Sequence, residues 1–268
     1  MQRVLVVSPH LDDAVLSIGG HLARLAASGS EVLVLTVFAG IPQPSYSPVA
    51  ELLHTIWDLA EEPVERRRRE DGAALALLGV GGLHAEFLDV IYRVDETGAW
   101  LIQEGERPTT AGPDDEPELV AAISGWIRES IAGFRPTRVL TCAALGDHVD
   151  HRRTRDAVVS AVGADDGRLA FWADLPYTVA LPKDAPQILT ARRLHCEILD
   201  DDTWKVKVAA VGCYRSQHSM LWPDTSDFRS AMDDQATHLA SLMGQSERCE
   251  LLWDAPEETG ENQARQPR

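Results

Sequence analysis

Short apolar runs alternate with stretches of helical spacing from the first residues onward. Val4 to Val7 is a continuous apolar run, Ala14 to Ala27 repeats alanine and leucine at helical intervals, and Glu31 to Ala39 is a second apolar run behind a Ser-Gly-Ser break. A short buried strand, a crossover helix and a second strand make a β-α-β unit with parallel strands. Gly40 to Pro48 carries three prolines and leaves the sheet as a loop. The charged stretch Glu61 to Glu70 leads into GAALALLGV, whose apolar spacing predicts a helix stopping at Gly79, Gly81 and Gly82. AEFLDVIY, residues 85–92, predicts a third strand.

Between Arg93 and Glu118 the chain turns polar and rich in Gly, Pro and Asp, with one apolar patch at Trp100 to Ile102, which reads as an inserted rim loop, about 92–118, with room for a hairpin. Helices are predicted over Leu119 to Ile131, His151 to Val162, Thr203 to Tyr214 and Phe228 to Met243, and strands over Arg138 to Ala144, within Leu169 to Leu181, in ARRLHCEIL and over Glu250 to Trp253. The order of elements predicts a single α/β domain over residues 1–255, a three-layer α/β/α sandwich on a mostly parallel, Rossmann-like sheet, with a disordered tail at 256–268. In such sheets ligands sit beyond the carboxyl ends of the strands, so the strand-to-helix loops are where chemistry is expected.

Composition narrows the partners. Lys plus Arg total 25 against 42 Asp plus Glu, a formal charge of −17, which argues against nucleic acid and anionic membranes as partners. The first apolar run is too short for a signal segment or a span. The four cysteines, at 142, 196, 213 and 249, show no C-x-x-C spacing and are too few for a disulfide framework, so the expected address is the cytoplasm.

The loop after the first strand reads S-P-H-L-D-D. Two adjacent carboxylates, Asp12 and Asp13, repel each other unless a cation or a shared proton relieves them. Either could instead cap the following helix by accepting amide hydrogen bonds. After RVLTCAA comes L-G-D-H-V-D-H-R, a second strand-to-helix loop with His148, Asp150 and His151. Capping explains one such cluster more readily than two, and together they favour a metal site. A His/Asp/His set with an open position suits zinc or a similar divalent ion, and leaves a spare carboxylate and a spare histidine for acid–base work.

These motifs resemble those of the GlcNAc-phosphatidylinositol de-N-acetylase and LmbE-like (PIG-L) metal-dependent deacetylases: SPHLDDAV is similar to the family's (A/S)-H-P-D-D-E, and HVDH at 148–151 to its H-P-D-H. SPHLDDAVLS, VFAG, FLDVIYR and YRSQ look most like a branch that deacylates sugar-bearing natural products, including glycopeptide-antibiotic pseudoaglycones. The resemblance implies one zinc held by His10, Asp13 and His151, Asp12 as general base for its water, and His148 as the cation that stabilises the oxyanion, with Asp150 holding the other ring nitrogen of His148. It implies hydrolysis of an acetamide on an N-acetylglucosaminyl small molecule, releasing acetate and a free amine. Arg67, in a segment similar to the family's R-x-x-E helix, would contact sugar hydroxyls, although the run Arg66 to Arg69 also reads as a solvated charged face. Two positions depart from the pattern: Ala14 replaces a glutamate, and Gly146 stands where some relatives carry a tyrosine.

Gly79 to Gly82 ends a helix and does not open one after a strand, so no dinucleotide fingerprint is present, and there is no P-loop or G-x-S-x-G. Tyr46, Trp57, Tyr92, Trp100 and Trp222 lie in or beside proposed loops, where aromatics stack on sugars or build local cores. The remaining histidines have no partner at ligand spacing. Two other functions fit the same residues: an amidase for a larger amide such as a thiol-sugar conjugate, and a non-catalytic carbohydrate-binding domain whose two loops are caps.

Overall fold

The strand RVLVVS, Arg3–Ser8 (β1), is buried from Val4 to Ser8, and each such Val or Leu taken out of water is worth about 1.5–3 kcal/mol before ordering costs. It is an interior strand of a seven-stranded sheet. A computed structural model describes residues 1–59, 61–178, 192–225 and 227–254 of the chain. Within it β2 (Glu31–Thr36), β3 (Gly81–His84), β4 (Arg138–Cys142), β5 (Leu169–Trp172), β6 (Arg193–Ile198) and β7 (Cys249–Asp254) complete the sheet in the order β3-β2-β1-β4-β5-β7-β6. The first five run parallel, while β7 is antiparallel to both its neighbours. β1 therefore sits at the point where successive strands switch from one side to the other, and the loops after β1 and β4 diverge above it.

Helices cover both faces. α1 (Asp13–Ala27), α3 (Pro63–Leu78) and α6 (Asp201–Val211) pack on one another, and α4 (Pro117–Phe134) packs on α5 (Val149–Val162). α8 (Phe228–Leu242) packs on β7, and a short α7 covers His218–Leu221. α1 is broken at Ile18, and the amides of Gly20 and His21 turn to the buried carboxylate of Glu250 on β7 at 2.9 and 2.8 Å. Lys207 on α6 balances that carboxylate at 2.7 Å.

Three sequence expectations need correction. The third strand is Gly81–His84, not AEFLDVIY, so only Gly79, left-handed at φ 71°, ends α3. Gly81 and Gly82 lie in an edge strand paired with Leu33 and Val34, while residues 85–92 cross the carboxyl edge of the sheet and end in a 3-10 turn. There Gly40 passes so close that an added Cβ would lie 2.4 Å from the Glu86 carbonyl oxygen. α2 (Pro48–Ile56) has no counterpart in the expected elements, although Ser47 caps it through Ala50 N at 3.0 Å with Pro48 in the first turn, a readable start signal. Finally, Cys196 and Cys249 form a disulfide between the adjacent strands β6 and β7, with Cα atoms 5.7 Å apart.

The rim insertion is ordered by a satellite core of Leu11, Trp57, Val90, Ile91, Ile102 and Val149. A bridge between Val94 and Trp100 makes its small hairpin. Its end is tied to the start of α5, through Val149 N to Pro108 O at 3.0 Å and Arg153 to Glu116 at 2.9 Å. The residues predicted as a tail, 256–268, lie outside the described residues.

Candidate metal and active site

Asp12 occupies the N-cap position of α1 yet its side chain makes no capping hydrogen bond. Asp13 Oδ2 instead accepts from His10 N at 2.8 Å and lies 3.1 Å from His10 Nδ1 and 3.2 Å from His151 Nε2. The capping alternative thus fails for the first motif. In the second, His148 does cap α5, its Nδ1 accepting from the backbone N–H of Asp150 at 3.2 Å.

Hydrogen bonds fix which nitrogen of each ring carries a lone pair. His151 Nδ1 donates to Asp174 Oδ1 at 2.6 Å, which leaves Nε2 as the basic nitrogen, and Nε2 is buried without a hydrogen-bond partner. His10 faces carboxylates from both nitrogens, Nε2 to Asp150 Oδ2 and Nδ1 to Asp13 Oδ2, each at 3.1 Å, so with Nε2 donating to Asp150 it is Nδ1 that can give up its proton to a cation beside Asp13. His148 is the reverse case, since Nδ1 is the acceptor and Nε2 keeps the proton. His10, His148 and His151 offer ring nitrogens all within 4.8 Å of one another. His10 Nδ1, His151 Nε2 and Asp13 Oδ2 could together hold an ion, with His148 Nε2–H beside them. Ligands about 2.0–2.1 Å from one tetrahedral zinc sit about 3.3 Å apart, close to the separations of Asp13 from both rings, so the residues present fit such an ion.

The acid–base properties follow from burial and neighbours. Burial lowers the His10 value, but Asp89, Asp13 and Asp150 outweigh it and hold it well above the ordinary range. His151 is treated alike, burial being overcome by Asp13 and Asp174, and rises to about 9. Both rings are thus set to hold positive charge, of a proton or of a cation. His148 is pushed well down by burial and by the two neighbouring imidazoles. In the metal-free chain these surroundings favour its neutral form over the cation that the family resemblance implies. Burial and the adjacent Asp13 raise Asp12 to about 6, against the pull of Arg67 and His10.

Asp150 also differs from expectation. Its carboxylate holds His10, not the second nitrogen of His148, and accepts from Val90 N at 2.9 Å and from Arg93 at 2.7 Å. Burial alone would raise its pKa, but Arg93 and His10 hold it far below the usual carboxylate range. Arg67 is buried, with its guanidinium 4.7 Å over the Trp57 ring, Nη2 3.8 Å from Asp12 Oδ1 and Nε without a partner. The solvated reading of the arginine run fails at that position. Glu70, three residues on, accepts from Ser216 Oγ at 2.6 Å. Asp71 binds Tyr214 and His84, each at 2.7 Å, so His84 has an acidic partner after all. Ala14 places a methyl and no carboxylate beside Asp13, and its N–H donates to Ser8 Oγ at 3.2 Å.

Sequence reasoning missed Asp89, 3.6 Å from His10 Nε2, Arg93 and Asp174. The available signal was position: Asp174 lies two residues past β5, and strand ends are where such sheets place their sites.

Fold and site together define a class: α/β proteins whose strand-end loops gather imidazoles and carboxylates suited to a divalent ion at the sheet's switch point. This chain belongs to the GlcNAc-PI de-N-acetylase (PIG-L) family, whose pattern matches residues 5–162. Over 179 residues it is 30% identical to 2'-N-acetylparomamine deacetylase of Streptomyces fradiae, covering 65% of this chain and 57% of that protein. It is 32% identical over 194 residues to a 1D-myo-inositol 2-acetamido-2-deoxy-alpha-D-glucopyranoside deacetylase of Kineococcus radiotolerans, covering 67% of this chain and 50% of that one. The chain thus spans about half the length of these curated relatives. Among solved structures, the zinc-inhibited form of teicoplanin deacetylase Orf2 is 39% identical with a TM-score of 0.82, covering 94% of this chain and 97% of that chain. The A40926 pseudoaglycone deacetylase Dbv21 is 37% identical with a TM-score of 0.77, covering 94% and 96%.

Proposed function

We propose that this protein is a zinc-dependent N-deacetylase that hydrolyses the acetamide of an N-acetylglucosaminyl group on a small natural product, releasing acetate and a free amine. The observation that carries this reading is the shared position of Asp13 Oδ2 between His10 Nδ1 and His151 Nε2, with an uncapped carboxylate, Asp12, beside it. The relatives named as deacetylases of 2'-N-acetylparomamine and of the A40926 pseudoaglycone support the substrate class.

In this reading His10, Asp13 and His151 hold the ion, whose chemistry when bound is to acidify a water and polarise a carbonyl. Asp12 takes the proton of the attacking water and then delivers it to the leaving nitrogen, a task suited to a group that titrates near 6. His148 Nε2–H donates to the acetyl oxygen as negative charge gathers there. Asp150 and Asp174 orient His10 and His151 and fix their tautomers. Arg67 and Trp57 form the wall on which the sugar is positioned.

Residues 1–255 act as one catalytic domain, with the rim insertion bordering the substrate entrance. Among the described residues no helix is long and apolar enough to cross a membrane. The sequence reading places the protein in the cytoplasm, and the Cys196–Cys249 disulfide stands against that address, since disulfides persist in oxidising compartments. Elemental analysis after zinc loading and desalting tests the site: about one zinc per chain is expected in the wild type and much less in Asp13→Ala. Equal, negligible metal in both folded proteins would overturn it.

A further inference from the structure

YRSQ, residues 214–217, and the short α7 after it grip both elements of the wall formed by Arg67 and Trp57. Ser216 donates to the carboxylate of Glu70 from its backbone N–H at 3.1 Å and from Oγ at 2.6 Å, and the Tyr214 hydroxyl donates to Asp71 at 2.7 Å. The two acceptors stand three and four residues after Arg67 on α3, on the same side of that helix. At the end of α2, Ser219 Oγ donates to Ile56 O at 2.9 Å, and Trp57 Nε1 donates to Met220 Sδ at 3.4 Å.

The last of these contacts decides how the indole lies. The backbone of Trp57 is set by the C-terminus of α2, its N–H donating to Leu53 O at 2.8 Å, while its side-chain torsions are left for tertiary contacts to fix. A buried indole N–H takes a partner, and the thioether of Met220 is the one it has. With the N–H edge held, a face of the ring receives the guanidinium of Arg67 at 4.7 Å, a cation–π contact. Among the described residues, that face and the 3.8 Å approach to Asp12 are the ring and charge contacts that hold Arg67, whose Nε has no hydrogen-bond partner. The placement of Arg67 thus follows the orientation of the Trp57 ring, and that orientation follows Met220.

We propose that Met220 is a positioning residue for substrate binding: its Sδ holds the Trp57 indole at the angle that presents Arg67 to the sugar. Met220 acts through Trp57 and takes no part in proton transfer. The sugar is held alike before and during hydrolysis, so this contact favours substrate and transition state equally, and its loss falls on KM and not on kcat. The inference rests on the deacetylase reading above, and it gives a role to a segment outside both histidine motifs.

The test compares zinc-loaded wild type, Met220→Leu and Met220→Gln. Acetate release from p-nitrophenyl N-acetyl-β-D-glucosaminide gives kcat and KM, calorimetry gives the affinity for the p-nitrophenyl glucosaminide product, and zinc content is measured alongside. Leucine keeps the bulk and removes the acceptor, so KM should rise and product affinity fall about three- to tenfold, with kcat within about twofold and zinc content unchanged. Glutamine restores an acceptor at similar reach and should bring both back to within about twofold of wild type. An active wild type whose KM and product affinity change by less than about twofold in Met220→Leu would overturn this assignment alone. Equal losses in Met220→Leu and Met220→Gln would overturn it too, and make Met220 a packing residue. A zinc-loaded wild type that binds the product yet releases no acetate would overturn the deacetylase reading, with the Met220 assignment then decided by the affinities. One that neither binds the product nor releases acetate would overturn both.

Discussion

Asp150 Oδ2 meets His10 Nε2 at 3.1 Å, joining the second histidine loop to the first across the sheet's switch point. The same carboxylate is anchored by Arg93 and by the Val90 amide, and Arg93 runs on to Glu116 at 3.1 Å. The orientation of His10 thus depends on the rim insertion. Asp150→Asn should weaken zinc binding about 10- to 100-fold with the fold intact, as read by competition with a chromogenic chelator. Unchanged affinity would mean that Asp150 serves only the Arg93 network.

Asp12→Asn should keep the metal and lose about 10²- to 10⁴-fold in kcat, the usual range for a positioned acid–base group. Normal turnover with zinc retained would remove Asp12 from the mechanism.

The pH profile follows from two shifts. Asp12 acts as a base when ionised and protonates near 6 in the metal-free chain; a cation beside it lowers that value. Activity should therefore rise with pH along a limb centred at or below about 6. His148 is depressed by burial and by His10 and His151, and a cation depresses it further, so it stays neutral above that limb. Turnover should be flat from about pH 6.5 to 8. A fall across that window that disappears in His148→Gln would restore the imidazolium expected from the sequence.

Stability has its own sensitive point away from the site. Glu250 satisfies two amides at the break in α1 and neutralises Lys207, all buried. Glu250→Ala strands a buried ammonium and should cost about 3–5 kcal/mol in denaturant unfolding. A loss under about 1 kcal/mol would show that water or a shift of α1 replaces the carboxylate.

The parts of this architecture that were legible are those where burial leaves a continuous apolar run. RVLVVS and RVLTC are packed on both faces, and the loops after them carry both motifs. Edge strand β3 is Gly81–His84, half exposed and without such a run, so the apolar signal of AEFLDVIY displaced it by several residues. Within the site, the two His/Asp clusters were legible from their place after β1 and β4, while the choice of His10, Asp13 and His151 among them came from the family resemblance. The residues around them were not, because Asp89, Arg93 and Asp174 come from loops that meet only in the folded sheet. The exchange of partners at Asp150 had the same origin: the family resemblance implied His148, whereas the first helical turn of α5 aims the carboxylate at His10.

The most direct test of the account is acetate release from an N-acetylglucosaminyl glycopeptide pseudoaglycone by protein stripped of metal and then titrated with zinc. The stripped protein should show no turnover, and activity should recover to saturation at about one zinc per chain, with one acetate per free amine formed. Turnover that survives complete metal removal, or none with one zinc bound, would contradict it.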